Sequence, residues 1–198
     1  MNLFTSIRAT LSDPLQTFRI FERMIAVLCM AIPGLLRLAD QGYPGFRVSI
    51  SDYVYMSDSY IYGMLLCMAA MLFIFNGAVY FRNADRFGLR QEGTWYNVIL
   101  GVSLLGIILF PHRQYVLIHY FFGGVFFLGN AVVIGVFHAP KDRVLSIVLA
   151  VITVTAIAVH YIFGLISLLT GEWISLIVIA LHFIMQSNQI SNNVRGSK

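Results

Sequence analysis

Long apolar runs dominate this chain, and short polar connections separate them. A helix that crosses a lipid bilayer needs about 20 mostly apolar residues. The most continuous run extends from Tyr60 to Phe81, and further long runs occupy 114–137 and 144–169. Six spans are predicted, at about residues 17–39, 60–81, 95–111, 114–137, 144–169 and 171–187. The pattern therefore predicts an all-α fold, a polytopic membrane bundle of six transmembrane helices forming a single domain over residues 1–198.

The first of these spans has the weakest pattern. Only Met24 to Leu36 is uninterrupted, and Arg23 and Arg37 flank it. Long arginine side chains can extend to the membrane interfaces and so complete a span. Five spans with one interfacial helix is the alternative.

Composition excludes the soluble enzyme classes. The chain is 59% hydrophobic and 11% charged, whereas soluble domains carry about 25% charged residues. The net charge of +4 comes from basic residues scattered between apolar runs, which is not the pattern of a nucleic-acid interface. Cys29 and Cys67 both lie in apolar runs, so we expect buried thiols and no disulfide.

The basic residues predict an orientation. Ten of them fall on one side of the predicted membrane: Arg8, Arg19, Arg23, Arg82, Arg86, Arg90, Lys141, Arg143, Arg195 and Lys198. Only Arg37, Arg47 and Arg113 fall on the other side. Because cytoplasmic loops carry the excess of Lys and Arg, both termini are predicted to be cytoplasmic. The expected location is the plasma or inner membrane, or an endomembrane of the secretory pathway.

The connection 40–59 is the longest and is predicted to lie outside. Residues 48–55 alternate between apolar and polar positions, which predicts a short strand or an extended cap over the bundle. Asp52 and Asp58 make this loop a candidate binding surface. A passive cap is the alternative.

Polar residues inside the spans recur at helical spacing. Ser146, Thr153, His160 and Ser167 lie seven residues apart in span five, and Ser175 and His182 do so in span six. Such positions share one helix face. Because polar groups are costly in lipid, we expect these faces to point into the bundle.

The helical rise places His119, His160 and Glu172 in the outer half of the predicted membrane, with His182 just beneath them near the midplane. Zinc held by the histidines and a carboxylate is one interpretation. Haem held by His119 and His160 is another. The third is a polar seam of packing groups, which includes a lipid-headgroup pocket or a proton-responsive switch. We expect no cofactor, and no catalytic residue is identified because nucleophile and phosphate-loop motifs are absent from the sequence.

A short pattern in the second half resembles a known family. Span three ends in Ile107-Ile108-Leu109-Phe110-Pro111, His119 follows in span four, and Glu172-Trp173 opens span six ahead of Leu181-His182-Phe183. With six spans and a long first outer loop, the chain resembles the DRAM/FRAG superfamily. This resemblance implies a six-span fold, membrane lipids as partners and a relation to GPI-anchor lipid-remodelling factors. The positions carried over are His119, Glu172, Trp173 and His182.

The leading hypothesis is an integral membrane protein that recognises or remodels a lipid or glycolipid headgroup at the outer or lumenal leaflet. Its predicted ligand-binding residues are His119, His160, Glu172, His182, Asp52 and Asp58. A non-enzymatic membrane scaffold or regulator is the first alternative, and a metal- or haem-dependent membrane enzyme is the second.

Overall fold

The computed structural model describes residues 13–87, 93, 95–137 and 143–196. These residues form six α-helices: α1 (Pro14–Ala39), α2 (Ser59–Phe87), α3 (Tyr96–Leu109), α4 (Val116–Phe137), α5 (Arg143–Ala158) and α6 (Leu168–Gly196). A 3-10 turn (Ser51–Tyr55) precedes α2, and a π-turn (Val159–Phe163) follows α5. No strand occurs among the described residues, so the predicted all-α fold class is confirmed. Four of the ten residues behind the predicted orientation, Arg8, Arg90, Lys141 and Lys198, lie outside the described part.

Four of the described helices are long and apolar enough to cross a membrane: Ser59–Asn83, Val116–Phe137, Arg143–Phe163 and Leu168–Asn188. The apolar helix Tyr96–Leu109 is shorter. On α4 and α5, large apolar side chains such as Leu117, Phe121 and Val144 point outward. An outward apolar surface of this kind is expected where lipid replaces water as the solvent.

The helices form a closed ring. Each helix packs against the next along the chain, and α6 packs against α1. At one end of the ring, Nε of Arg23 on α1 donates a hydrogen bond to Oγ of Ser187 on α6. At the other end, the N–H of Leu169 donates to the carbonyl of Val48 at 2.8 Å. α1 and α6 are therefore antiparallel, and the loop 40–58 meets the start of α6.

A second hydrogen bond links the connection between α3 and α4 to the loop 40–58 at this end of the bundle. The N–H of Arg113, between α3 and α4, donates to the hydroxyl of Tyr55 at 3.0 Å. The structure thus brings together, at one end of the bundle, the three connections that are predicted to share one side of the membrane.

The interior combines aromatic packing with one polar contact between helices. The rings of Phe126 and Phe183 each lie edge-on to that of Phe73, with centroids 5.6 and 5.5 Å apart. Asn97 on α3 donates a 2.6 Å hydrogen bond to buried Asn76 on α2. A hydrogen bond of this kind holds two helices together in a membrane interior, although Nδ2 of Asn76 is buried without a partner in the described part.

The predicted span 144–169 is wrong at its end. α5 stops at Ala158, and the chain leaves the π-turn at Gly164, whose φ of +63° suits glycine. Nδ1 of His160 lies 2.9 Å from the carbonyl oxygen of Ile166 and holds the reversal. Ser146 and Thr153 are buried as predicted, whereas Ser167 is exposed beyond the helix.

The strand considered for 48–55 is also wrong, because residues 51–55 form the 3-10 turn. Oγ of Ser49 accepts from the N–H of Asp52 at 3.1 Å, which favours a turn over an extended chain. The two cysteines are free as expected, but only Cys29 is buried, and Cys67 lies exposed on the outside of α2.

Candidate functional site

A cavity of about 420 Å³ lies at the end of the bundle where the three connections meet. Its wall comprises α4, the end of α5 with its π-turn, the start of α6 and the loop residues 48–51. Its lining residues are Val48, Ser49, Ser51, His112, His119, Tyr120, Gly123, Gly124, Phe127, Leu128, Ile157, Tyr161, Leu168 and Glu172. Small-molecule sites typically have volumes of about 300–1,000 Å³, so the size suits a ligand.

A smaller, deeper cavity of about 60 Å³ adjoins it. The two share Ser51, His119, Gly123, Phe127 and Glu172. The deeper wall is otherwise apolar: Cys29, Ile32, Ile50, Leu66, Ala69, Phe73, Leu104, Ile107, Phe126 and Leu176. His119 and Glu172 therefore lie where the polar groups of the larger cavity meet the apolar interior of the bundle.

Glu172 has a single polar contact among the described residues. It lies near the start of α6 with 7% of its surface exposed, and its Oε2 accepts from the N–H of Ile50 at 2.6 Å. No lysine or arginine of the described part lies within ion-pair distance of it. A buried carboxylate without a counterion is unfavourable, so a cation bound beside Glu172 would be stabilising.

A contact with the end of α3 holds the ring of His119 in place. Its Nδ1 lies 2.8 Å from the carbonyl oxygen of Phe110, and its ring centroid is 5.5 Å from that of His112. Nε2 of His112 is 3.8 Å from Oδ1 of Asp52, while its Nδ1 is buried with no hydrogen-bond partner in the described part. The two imidazoles form the polar rim on the α4 side.

An ionic network holds the loop 40–58, which we call the cap, above the cavity. Nε and Nη2 of Arg47 donate to the two carboxylate oxygens of Asp40 at 2.6 and 3.3 Å, and Nη1 lies 3.6 Å from Oδ2 of Asp52. Nη2 of Arg113 donates to Asp52 at 3.2 Å. The hydrogen bond that Arg47 donates to Asp40 raises the pKa of Arg47, and burial raises the pKa of Tyr53 beneath it. Both arginines thus form ion pairs with carboxylates of the cap.

Two glycines leave the cavity open. A Cβ atom added at Gly123 or Gly124 would meet nothing within 4 Å. Elsewhere in the bundle glycine permits close contact instead: at Gly101 an added Cβ would lie 2.6 Å from the carbonyl oxygen of Ala70. Gly123 and Gly124 thus leave space beside α4, whereas Gly101 allows α2 and α3 to pack closely.

The structure brings only part of the predicted site together. His119 and Glu172 line the same cavity, and Asp52 touches its rim through His112. Asp58 lines a separate cleft of the loop with Asp40 and Ser57. His160 supports the chain reversal after α5, and His182 is buried on α6; neither lines the two cavities around Glu172.

Sequence reasoning missed two features. The Arg47–Asp40 pair gives no sequence signal beyond opposite charges seven residues apart. Glu22 on α1 is buried with both carboxyl oxygens lacking a hydrogen-bond partner in the described part. An acidic residue flanked by Arg19 and Arg23 at a span end could have drawn attention to it.

The positions of the potential metal ligands give little support to the metal interpretation. Among the described residues no three His, Cys, Asp or Glu side chains are grouped so as to hold a metal ion. His119 and His160, considered as joint ligands of zinc or haem, do not line a common cavity.

Comparison with known proteins places the chain in a family. Neither the curated proteins nor the solved structures include a match to this chain. A family model described as a family of unknown function (DUF7103) matches residues 31–187. The matched range contains the cap, Glu172, all lining residues of the larger cavity and all but Cys29 of the smaller one. The chain therefore belongs to this family of unknown function, DUF7103.

Proposed function

We propose that this chain is an integral membrane protein that binds the polar headgroup of a lipid or glycolipid in the cavity beside Glu172. The observation that carries the proposal is that the larger cavity adjoins the smaller, mostly apolar one. The larger cavity has a mostly apolar wall into which two serine hydroxyls, two imidazoles and one carboxyl group are set, and it opens beside the apolar interior of the bundle. An amphiphile has the same two-part chemistry.

The position of the cavity also favours a membrane ligand. α4 and α5, which form its wall, bury little of their surface within the described bundle, so lipid would surround them. Tyr120 and Tyr161 line the cavity and are also exposed on the outside. Tyrosine is common at the level of lipid headgroups. A lipid could thus enter sideways between these helices.

The proposed membrane arrangement has six spans, both termini in the cytoplasm and the cavity at the outer or lumenal side. The ten-to-three distribution of basic residues supports the orientation, and the antiparallel contact of α1 with α6 supports an even number of crossings. Resemblance of the second half to the DRAM/FRAG superfamily adds to this proposal. Remodelling of the bound headgroup, which that resemblance implies, would act on a lipid held at His119 and Glu172.

A membrane scaffold is the second candidate. It is favoured by His160, whose polar contact is a local one to the chain reversal. In that case the cavity would be a packing defect and no lipid would prefer it.

A cavity-filling variant separates the two. Gly124→Leu places a side chain where an added Cβ meets no atom, so the fold should tolerate it while the cavity closes. Gly63→Leu on α2 is the matched control, since a Cβ there is equally unobstructed and Gly63 lines neither cavity around Glu172. Native mass spectrometry of the purified proteins should show co-purified lipid on the wild type and on Gly63→Leu, and loss of it on Gly124→Leu. Equal lipid on all three would contradict the proposal.

A further inference from the structure

The charge of the cavity lining restricts the headgroup. Of all Asp, Glu, Lys and Arg residues in the described part, only Glu172 lines either of the two cavities. At this end of the bundle, Arg47 of the cap and Arg113 of the α3–α4 connection are paired with Asp40 and Asp52. An anionic group entering the larger cavity would meet a carboxyl group and no free cation of the described part.

We infer that the bound headgroup carries an ammonium group, which Glu172 contacts. This inference rests on the proposed headgroup function and specifies its ligand class. A cation would supply the counterion that the buried carboxylate lacks, and a charge-assisted contact of this kind contributes more than a neutral hydrogen bond.

The rest of the lining suits an ammonium group. Tyr120, Phe127 and Tyr161 present aromatic rings to the larger cavity, and aromatic faces attract cations. Ser49 and Ser51, whose hydroxyl oxygens lie 3.1 Å apart, have oxygens that accept hydrogen bonds. A primary ammonium would use the hydroxyls and Glu172, and a quaternary one the rings and Glu172.

The test compares lipids that share acyl chains and a phosphate and differ in the terminal group. Phosphatidylethanolamine, phosphatidylcholine and phosphatidylglycerol, all dioleoyl, are offered in equal amounts to the full-length protein in neutral detergent. Bound lipid is quantified by native mass spectrometry. We expect one or both ammonium lipids to bind about tenfold or more tightly than phosphatidylglycerol.

Two isosteric variants show where the preference originates. Glu172→Gln should remove the preference for ammonium lipids. Glu22→Gln is the matched control: it changes a second buried glutamate, which lines neither cavity around Glu172, and it should leave the preference intact. The wild-type comparison needs no variant and decides the question even if Glu172→Gln does not fold.

Failure of this inference is distinguishable from failure of the proposed function. If the three lipids bind equally but Gly124→Leu still weakens all of them, the ammonium inference is overturned and the headgroup cavity stands. If Gly124→Leu weakens none, both are overturned. If water-soluble glycerophosphoethanolamine competes as strongly as the intact lipid, the ammonium contact is supported and the lipid as its source is overturned.

Discussion

Glu172 on α6 accepts a hydrogen bond from the backbone N–H of Ile50, 122 residues earlier in the chain, at 2.6 Å. This contact ties the start of the last helix to the long first connection and places the carboxyl group under the cap. Leu169 and Val48 make a backbone hydrogen bond beside it. The candidate site is therefore formed by long-range contacts between the cap and α6, and its integrity depends on both.

The first prediction concerns the ionic network of the cap. Arg47→Met should lower the free energy of unfolding by about 3–5 kcal/mol, because it leaves Asp40 and Asp52 buried without their shared cation. Arg47→Lys should cost less, since it keeps the charge but loses the two-pronged hydrogen bond. Chemical denaturation in detergent measures both. Equal stability of Arg47→Met and the wild type would show that the network does not hold the cap.

His160 should contribute to stability and not to ligand binding. His160→Phe removes the nitrogen that contacts the carbonyl of Ile166, and losing one such hydrogen bond costs about 0.5–1.5 kcal/mol. Because His160 does not line the cavity, lipid bound per folded protein should stay unchanged. Thermal unfolding and native mass spectrometry of the same sample give the two readouts. A loss of bound lipid at unchanged stability would return His160 to the site.

Paired glycine substitutions test the packing of the helices. Gly101→Ala should destabilise the bundle by about 1–3 kcal/mol, because its Cβ would lie 2.6 Å from the carbonyl oxygen of Ala70 and 3.0 Å from the backbone nitrogen of Ile74. Gly123→Ala meets no atom within 4 Å and should be neutral or stabilising, since alanine favours the helix. The shift of the unfolding midpoint measures both. The reverse order of stabilities would contradict the described contact of α2 with α3.

The proposed orientation predicts opposite labelling at the two ends of the bundle. In a Cys67→Ser background, which removes the exposed thiol, Ser57→Cys should react with a membrane-impermeant maleimide on intact cells. Arg143→Cys should react only after permeabilisation. Both positions are exposed, so access depends on the membrane alone. If the endogenous membrane is an internal one, the same pair is compared in sealed vesicles of that membrane, and labelling of Arg143→Cys first would invert the orientation.

Much of the fold follows from the apolar pattern alone. The run 60–81 lies within α2, and the run 114–137 nearly coincides with α4, because long stretches of apolar residues leave few alternatives to a helix in lipid. The end of α5 could not be read in the same way. Residues 159–169 remain mostly apolar, so nothing in hydropathy marks the π-turn, and only Gly164 signals the reversal.

The sequence predicted a residue's place at the cavity only where its depth along the predicted span was enough to locate it. His119 and Glu172 lie at similar depth and do line one cavity. His160 shares that depth, but the chain reversal after α5 engages its ring locally. Asp58 lies in the predicted loop, yet the 3-10 turn and the Arg47 network divide that loop, so that Asp58 lines a different cleft. Hydrophobic periodicity specifies helix faces, and it contains no information about how a polar loop folds over them.

The most direct measurement of the central claim is photo-crosslinking of a lipid to this chain. A lipid with a diazirine close to its headgroup is incorporated with the full-length protein into nanodiscs, irradiated, and its adducts are mapped by peptide mass spectrometry. The account predicts adducts concentrated on residues 119–128 and 157–172, and their loss in Gly124→Leu but not in Gly63→Leu. Adducts spread evenly over the outward apolar faces, including Met24 to Met30 of α1, and unchanged in Gly124→Leu, would contradict it.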